Sequence, residues 1–398
     1  MMKGFGLTCK LMNKQMMSMK SLFRYIFFLG TLLLLQYCKP APPAKNQFAT
    51  AESVKEVIIK VNDKWQANHS PEQRAFWDQS AYHIGNLAAY QTTEKAEYLD
   101  FTLDWANHNQ WKGAKSDNPK DWKFSYGESN DYVLFGDWQA CFQIYIDLNQ
   151  MDPNPIKVAR AKEVMGYEVS TDENKYWWWI DGLYMVMPVM PRMYELTGED
   201  IYLEKLFEYY SYTKSLTYDE EAGLWYRDAK YIYPKHQTNN GLKDFWSRGN
   251  GWVIAAHART LDKLPKTDEH YSDYLNVYKS MAKALKESQQ NEGYWTRSLL
   301  DPEQAPGPET SGTAFFTYGI LWGINNGVLD QKTYEPVVTR AWSYLTKTAV
   351  QADGTLGYVQ PIGERAIPGQ IVDQNSTSDF GVGAFLLAAA EMVAYLEK

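Results

Sequence analysis

The chain is poor in the residue types that build metal and redox centres. Its 398 residues hold three cysteines and six histidines. The histidines, at 69, 83, 108, 236, 257 and 270, form no HxH or HExxH pair, which argues against a zinc site. Cys9 and Cys38 lie near the N-terminus, so Cys141 is the one interior thiol and the body has no intrachain disulfide. A lone thiol is most often a small buried apolar group. No Walker or G-x-G-x-x-G sequence indicates nucleotide use. Ser311 lacks a G-x-S-x-G context, which disfavours a serine hydrolase. Neither persistent heptads nor runs of alternating strands occur, and the apolar content of 45% excludes disorder.

Acid is absent from residues 1–37, which carry Lys3, Lys10, Lys14, Lys20 and Arg24. The apolar run Tyr25–Leu35 is too short to span a bilayer and suits a secretory signal. The basic stretch before it is long, so Met16, Met17 and Met19 are alternative starts. Cys38 follows Leu35-Gln36-Tyr37, which resembles a bacterial lipoprotein site, with Tyr37 where a small residue is expected. Lipidation at Cys38 and cleavage to a soluble form both stay open. Either places the protein in the periplasm or on the outer membrane, with membrane contact only through that anchor. Three prolines in Lys39–Asn46 read as a tether. The expected organisation is a signal peptide over 1–37, a linker over 38–50 and one domain over 51–398.

Without the five basic residues of the leader, 35 positive side chains face 48 negative ones. An acidic body argues against nucleic acid as a partner, because phosphate contacts need clustered Lys and Arg. It leaves room for an anionic substrate, since the local charge of a site matters more than the sum. Aromatic residues reach 15%, with 15 Trp and 29 Tyr. Such rings stack on sugars and also fill cores.

Apolar spacings of three and four predict helices over 52–66, 76–91, 95–108, 137–149, 156–164, 178–196, 200–215, 249–263, 269–288, 311–326, 332–347 and 378–396. An internal repeat organises them. Tyr90–Leu99 reads YQTTEKAEYL, and Tyr194–Leu203 reads YELTGEDIYL, 104 residues later. Leu264–Leu275, LPKTDEHYSDYL, is a third version. Each reads as a helix end, a polar turn and a new helix. Two hairpins of about 52 residues fit the interval, and about six such hairpins would close a double ring of helices. The longer segments 216–248, 289–310 and 348–377 are rich in Gly, Pro, Asp and Trp and are expected to wall a pocket.

Four segments carry candidate chemistry. In Tyr176–Pro188, YWWWIDGLYMVMP, Asp181 opens an apolar helix after three tryptophans. It reads as an N-terminal cap or as a general acid whose proton affinity is raised by an aromatic wall. Asp137, in Phe135–Asp147, opens another apolar helix and reads the same two ways, with Asp131 a nearby competitor. Paired carboxylates across a cleft are the usual equipment of glycoside chemistry. In Asp244–Trp252, DFWSRGNGW, Arg248 and Trp252 are four apart and share a helix face. A guanidinium beside an indole can hold a carboxylate and a ring, or form a stack on a helix cap. Leu224–Asp228, LWYRD, adds Arg227. Pro308–Ala314, PETSGTA, reads by itself as a capping sequence.

In order, WxxxDGLYMxxPxxxRxYELTG, LWYRD, FWSRGNGW, ETSGTAFF and DFGVGAFLLAAAEM resemble the unsaturated glucuronyl and rhamnogalacturonyl hydrolases, glycoside hydrolase families 105 and 88. The resemblance runs from about residue 70 to the C-terminus. It implies an all-α (α/α)6 barrel and substrates ending in a 4,5-unsaturated uronic acid. It also implies that an Asp protonates C4 of the enol ether while water adds at C5, after which the hemiketal opens and the leaving sugar departs. Asp181 matches the catalytic Asp of W-x-D-x-L-x-M, and Asp137 matches the second Asp by its spacing to Gln143 and Tyr145. Arg248 and Trp252 match an R-x-x-x-W that contacts the uronate. Further substrate contacts are expected from Arg227, Trp178, Trp246, Thr310 and Ser311, and neither metal nor organic cofactor is implied. The sequence departs from the pattern in two places. Arg227 stands where rhamnogalacturonyl-specific members tend to carry His, which suggests a more anionic or differently linked next sugar. Trp138 and Phe142 replace smaller residues and are expected to narrow that subsite. Two other classes compete: another toroid glycosidase or a uronate lyase, which needs a Tyr or His base near an Arg, and a non-catalytic glycan-binding lipoprotein.

Overall fold

A computed structural model describes residues 48–398. The expected signal peptide, the candidate lipidation site at Cys38 and most of the expected linker lie outside the described residues. The chain enters helix α1 (Ala51–Gln66) through a reciprocal cap, in which the Thr50 hydroxyl accepts from the Ser53 amide and the Ser53 hydroxyl accepts from the Thr50 amide.

From there helices alternate between an inner and an outer ring. The inner positions are α2 (Trp77–Thr93), α4 (Gly136–Gln139) with α5 (Cys141–Met151), α7 (Asp181–Val186) with α8 (Val189–Thr197), α10 (Ser247–Leu261), α12 (Thr310–Asn325) and α14 (Asp379–Leu396). The outer positions are α1, α3 (Ala96–His108), α6 (Pro155–Val169), α9 (Ile201–Thr217), α11 (Tyr271–Ser288) and α13 (Gln331–Tyr344). Each inner helix packs on the next, and α14 packs on α2, so the ring closes as the (α/α)6 barrel that the sequence predicts. Residue pattern decides which ring a helix joins. Along α11 the buried residues are Tyr274, Val277, Tyr278, Met281, Ala282 and Leu285, a single stripe. Along α12 every residue from Thr310 to Ile324 is buried, because inner helices are covered on all sides. The same reason explains α14, which is apolar and long enough to cross a membrane yet lies mostly buried in the ring. Where α14 meets α2 the backbones nearly touch: a Cβ on Gly85 would lie 2.2 Å from the Gly383 carbonyl oxygen.

The repeat has a physical counterpart. α2 ends with Glu94 in the left-handed region, its amide on the Tyr90 carbonyl at 2.7 Å. α8 ends the same way, with the Gly198 amide on the Tyr194 carbonyl at 2.7 Å. The third version is looser, since α10 stops at Leu261 and α11 begins only at Tyr271. The expected helices 178–196 and 137–149 each come in two pieces. Pro188, which has no N–H to donate, leaves the Tyr184 carbonyl without its helical partner. The Gln143 amide fills that place, donating to the Tyr184 and Met185 carbonyls at 2.7 and 3.1 Å.

All six inner positions begin at the same end of the barrel. The loops that cross this end are 67–76, 109–135, 170–180, 218–246, 289–309 and 350–378. One holds a two-stranded ribbon, β1 (Tyr218–Asp219) against β2 (Leu224–Trp225), antiparallel with Tyr218 opposite Trp225.

Candidate active site

Where inner helices start, the first backbone N–H groups have no partner within the helix and favour negative charge. A cavity of about 240 Å³ opens there. Successive inner helices line it near their first turns: Trp77 from α2, Asp137 from α4, Asp181 from α7, and Arg248 with Trp252 from α10. The residues just ahead of these helices, Phe76, Phe135, Trp179 and Trp246, complete the floor. Loops add Arg74, Tyr126, Glu128, Arg227 and Glu364.

Asp137 and Asp181 therefore meet at one cavity. Burial pushes the Asp137 carboxyl well above its ordinary range, and the charge of Asp181 pushes it further. Burial also raises Asp181, but Arg227 and then Arg248 pull it back. Asp181 Oδ2 makes no hydrogen bond and stands 3.5 Å from Nε of Arg227. Asp131, the competitor, pairs with Lys123 at 2.7 Å and does not line the cavity.

Arg227 is held from both sides. Its carbonyl accepts from the Ile180 amide at 3.1 Å, next to Asp181. The Asn250 side chain clamps Trp225 two residues upstream, accepting from its amide at 2.9 Å and donating to its carbonyl at 3.0 Å. The guanidinium reaches Asp228 at 2.5 Å and Glu364 at 3.3 Å.

Arg248 is buried between the faces of Trp246 and Phe380, its Cζ 4.7 Å from each ring centre. It donates to the carbonyls of Gln360, Pro361 and Gly363 at 2.6, 3.0 and 3.5 Å. Among the described residues no carboxylate lies within ion-pair distance of it. Burial lowers its pKa to about 10, which still leaves it charged at neutral pH. Trp246 is fixed by its own N–H, which donates to the Gln360 side chain at 2.9 Å. Trp252 packs at 4.7 Å from Tyr184 and 4.5 Å from Phe315 and faces the cavity one turn below Arg248.

Four expectations are corrected. Thr310 and Ser311 do not line the cavity. The Thr310 hydroxyl bonds to Tyr344 and to the Gly357 carbonyl, and the Ser311 hydroxyl donates to Glu309 at 2.6 Å. The buried Glu309 carboxylate caps α12, accepting from the amides of Ser311 and Gly312, and it also accepts from the Gln360 amide at 3.1 Å. Its effect on the site is indirect, through the loop whose carbonyls hold Arg248. Trp178 stands outside the lining, with Arg227 over its ring at 5.7 Å, while its neighbour Trp179 lines the floor, stacked 4.9 Å from Phe135. Trp138 and Phe142 do not narrow the cavity: both are buried in the core, Trp138 at 4.6 Å from Phe76. Finally, of the three segments expected to wall the pocket, 289–310 contributes no lining residue, whereas the loop 109–135, not singled out from sequence, contributes Tyr126 and Glu128.

Arg74, Trp77, Tyr126, Glu128, Trp179 and Glu364 were not legible as site residues. Trp179 was the closest to being found, since it sits two residues before Asp181. Arg74, Glu128 and Glu364 lie in loops with no local pattern.

The chain is similar to several known proteins. An unsaturated 3S-rhamnoglycuronyl hydrolase of Formosa agariphila is 32% identical over 335 residues, covering 80% of this chain and 84% of that protein. The structure of a glycosyl hydrolase family 88 protein from Bacteroides vulgatus is 57% identical, with a TM-score of 0.86 over 87% of this chain and 100% of that one. A structure described as a polysaccharide lyase is 61% identical, with a TM-score of 0.85 over 87% and 98%. The sequence profile of Glycosyl Hydrolase Family 88 matches residues 50–396, and the chain belongs to that family of glycoside hydrolases.

Proposed function

We propose that the protein removes a terminal 4,5-unsaturated uronic acid from oligosaccharides produced by polysaccharide lyases. The observation that carries this reading is the meeting of two carboxyls, the buried Asp137 and the partly buried Asp181, with Arg248, a buried cation that lacks a carboxylate partner among the described residues. Arg248 receives the substrate carboxylate, and Trp252 and Trp179 flank the ring.

Asp181 is the acid and then the base. Its carboxyl proton goes to C4 of the enol ether, and the C4=C5 electron pair forms the new C–H bond. Water bonds to C5 and returns a proton to the Asp181 carboxylate, so that the catalyst is regenerated. The resulting hemiketal opens by breaking the C5–O5 bond, and the C1 hemiacetal then releases the leaving sugar as an alcohol. A group that both gives and takes a proton needs an affinity between extremes. Asp181 has it, because burial and the two arginines act in opposite directions. Asp137, raised well above the ordinary range, serves as a neutral hydrogen-bond donor.

A second reading rests on the 61% identical structure described as a polysaccharide lyase. β-Elimination would create the C4=C5 bond instead of consuming it. It needs a base at C5, and among the described residues Tyr126 is the one tyrosine lining the cavity, with no histidine there. Burial pushes the Tyr126 phenol upward, away from the ionised form a base requires.

Ultraviolet absorbance of the enol ether separates the two. With lyase-generated oligosaccharides from pectin, ulvan and glycosaminoglycans, hydration removes absorbance, and Asp181→Asn abolishes that loss. An absorbance gain on saturated uronate-containing chains would instead establish elimination. The basic, then apolar, start of the chain supports export, so the working location we propose is the periplasm or the outer membrane.

A further inference from the structure

We propose that the leaving sugar accepted by this site is uncharged, and that Glu128 and Glu364 on the cavity rim select against sulfate or carboxylate groups on it. This inference rests on the hydration reading and names the substrate class of the same site.

The argument is one of charge placement. The cavity presents three cations, and two are already answered by carboxylates. Arg227 contacts Asp228 at 2.5 Å, Glu364 at 3.3 Å and Asp181 at 3.5 Å. Arg74 pairs with Glu128 and, at 3.3 Å, with Asp78. Lys230, further out, is shared by Glu364 at 3.6 Å and Asp228 at 3.9 Å. Arg248 alone is met by carbonyl oxygens. Among the described residues the site thus offers one unanswered lining cation, deep in the floor beside Asp181, and the terminal uronate takes it.

A sugar linked to that uronate extends toward the opening. There it meets Glu128, whose side chain is 59% exposed, and Glu364, whose side chain is 43% exposed. They come from different loops, 109–135 and 350–378. Burial works to raise Glu364, but the Tyr231 hydroxyl at 2.6 Å, then Arg227 and Lys230, hold it below the usual carboxylate range, so it is ionised. Among the described residues that line the cavity, Arg74 and Arg227 are both paired, so an anionic substituent would face these carboxylates without an unpaired lining cation beside it. Like charges brought together in this way are an ordinary device for rejecting a partner. Arg227 by itself suggests a more anionic or differently linked next sugar, and its three acidic partners argue against the anionic alternative.

The test uses two unsaturated disaccharides that share the uronate and differ only in the leaving hexose, neutral in one and sulfated in the other. The wild-type protein is expected to favour the neutral one by roughly tenfold in kcat/KM. Glu364→Gln is expected to narrow that ratio at least threefold. Glu128→Gln, on an exposed rim where folding is not at stake, is expected to narrow it as well, and added salt should do the same in the wild type. Equal efficiency on both substrates, a preference for the sulfated one, or a ratio that neither variant moves would overturn the inference while leaving hydration intact. Loss of absorbance with neither substrate would remove the hydration reading and this inference with it.

Discussion

Asp137 and Asp181 occupy equivalent places in consecutive hairpins. Each lies in the first turn of the first piece of a broken inner helix, two residues after an aromatic residue (Phe135 or Trp179), and faces the same cavity. Their surroundings differ. Asp181 has Arg227 at 3.5 Å and feels Arg248, whereas the cations that act on Asp137 are Arg227 and Arg74 from further away and have no ion-pair contact with it. Position on the helix fixes that an acid faces the cavity. Neighbours contributed by distant segments fix whether it holds its proton or exchanges it.

The largest effect should come from the exchanging member. Asp181→Asn is expected to lower kcat about 10³-fold or more while substrate still binds, as read by single-turnover absorbance and by calorimetry. A variant that keeps a tenth of wild-type turnover would reverse the assignment. Asp137→Asn retains a neutral hydrogen-bonding group and is expected to lose about 10- to 100-fold in kcat. If it proved as damaging as Asp181→Asn, the distinction between the two would disappear. Arg248→Lys keeps the charge but loses the planar fork, and KM should rise about tenfold with a smaller change in kcat.

Arg227→Gln addresses the contrast itself. Asp181 must be protonated to deliver to C4, so activity is lost as pH rises through its raised pKa. Arg227 lowers that pKa, so removing it raises the pKa further and moves the alkaline limb of kcat/KM to higher pH. A limb that stayed in place, or moved down, would show that Arg227 does not govern Asp181. The smallest effect belongs to Ser311→Ala, expected to change kcat/KM less than threefold and to reduce stability by about 1 kcal/mol through the lost bond to Glu309. A large rise in KM would return Ser311 to the substrate.

Much of the barrel was legible because each helix carries its own period. The α1 stripe Val54, Ile58 and Val61 needs no tertiary information, and neither does the turn chemistry after Tyr90 and Tyr194. Both acids were legible too, since an acid opening an apolar helix is a local pattern. Thr310 and Ser311 were misplaced for the complementary reason: a family motif marks a segment, and the member of the segment that acts, Glu309, acts through Gln360 on Arg248. Trp138 and Trp178 were misplaced because sequence gives the number of indoles and not their direction.

The sequence by itself determined the all-helical hairpin order and the two carboxyls at helix openings, because hydrophobic period and capping act over a few residues. Only the tertiary structure decided how the charges are paired. Arg227 meets Glu364 across 137 positions of chain, and Arg248 finds carbonyls instead of acids 112 to 115 positions away. Electrostatic energy depends on distance in space and on burial, and neither is written in the order of residues along the chain.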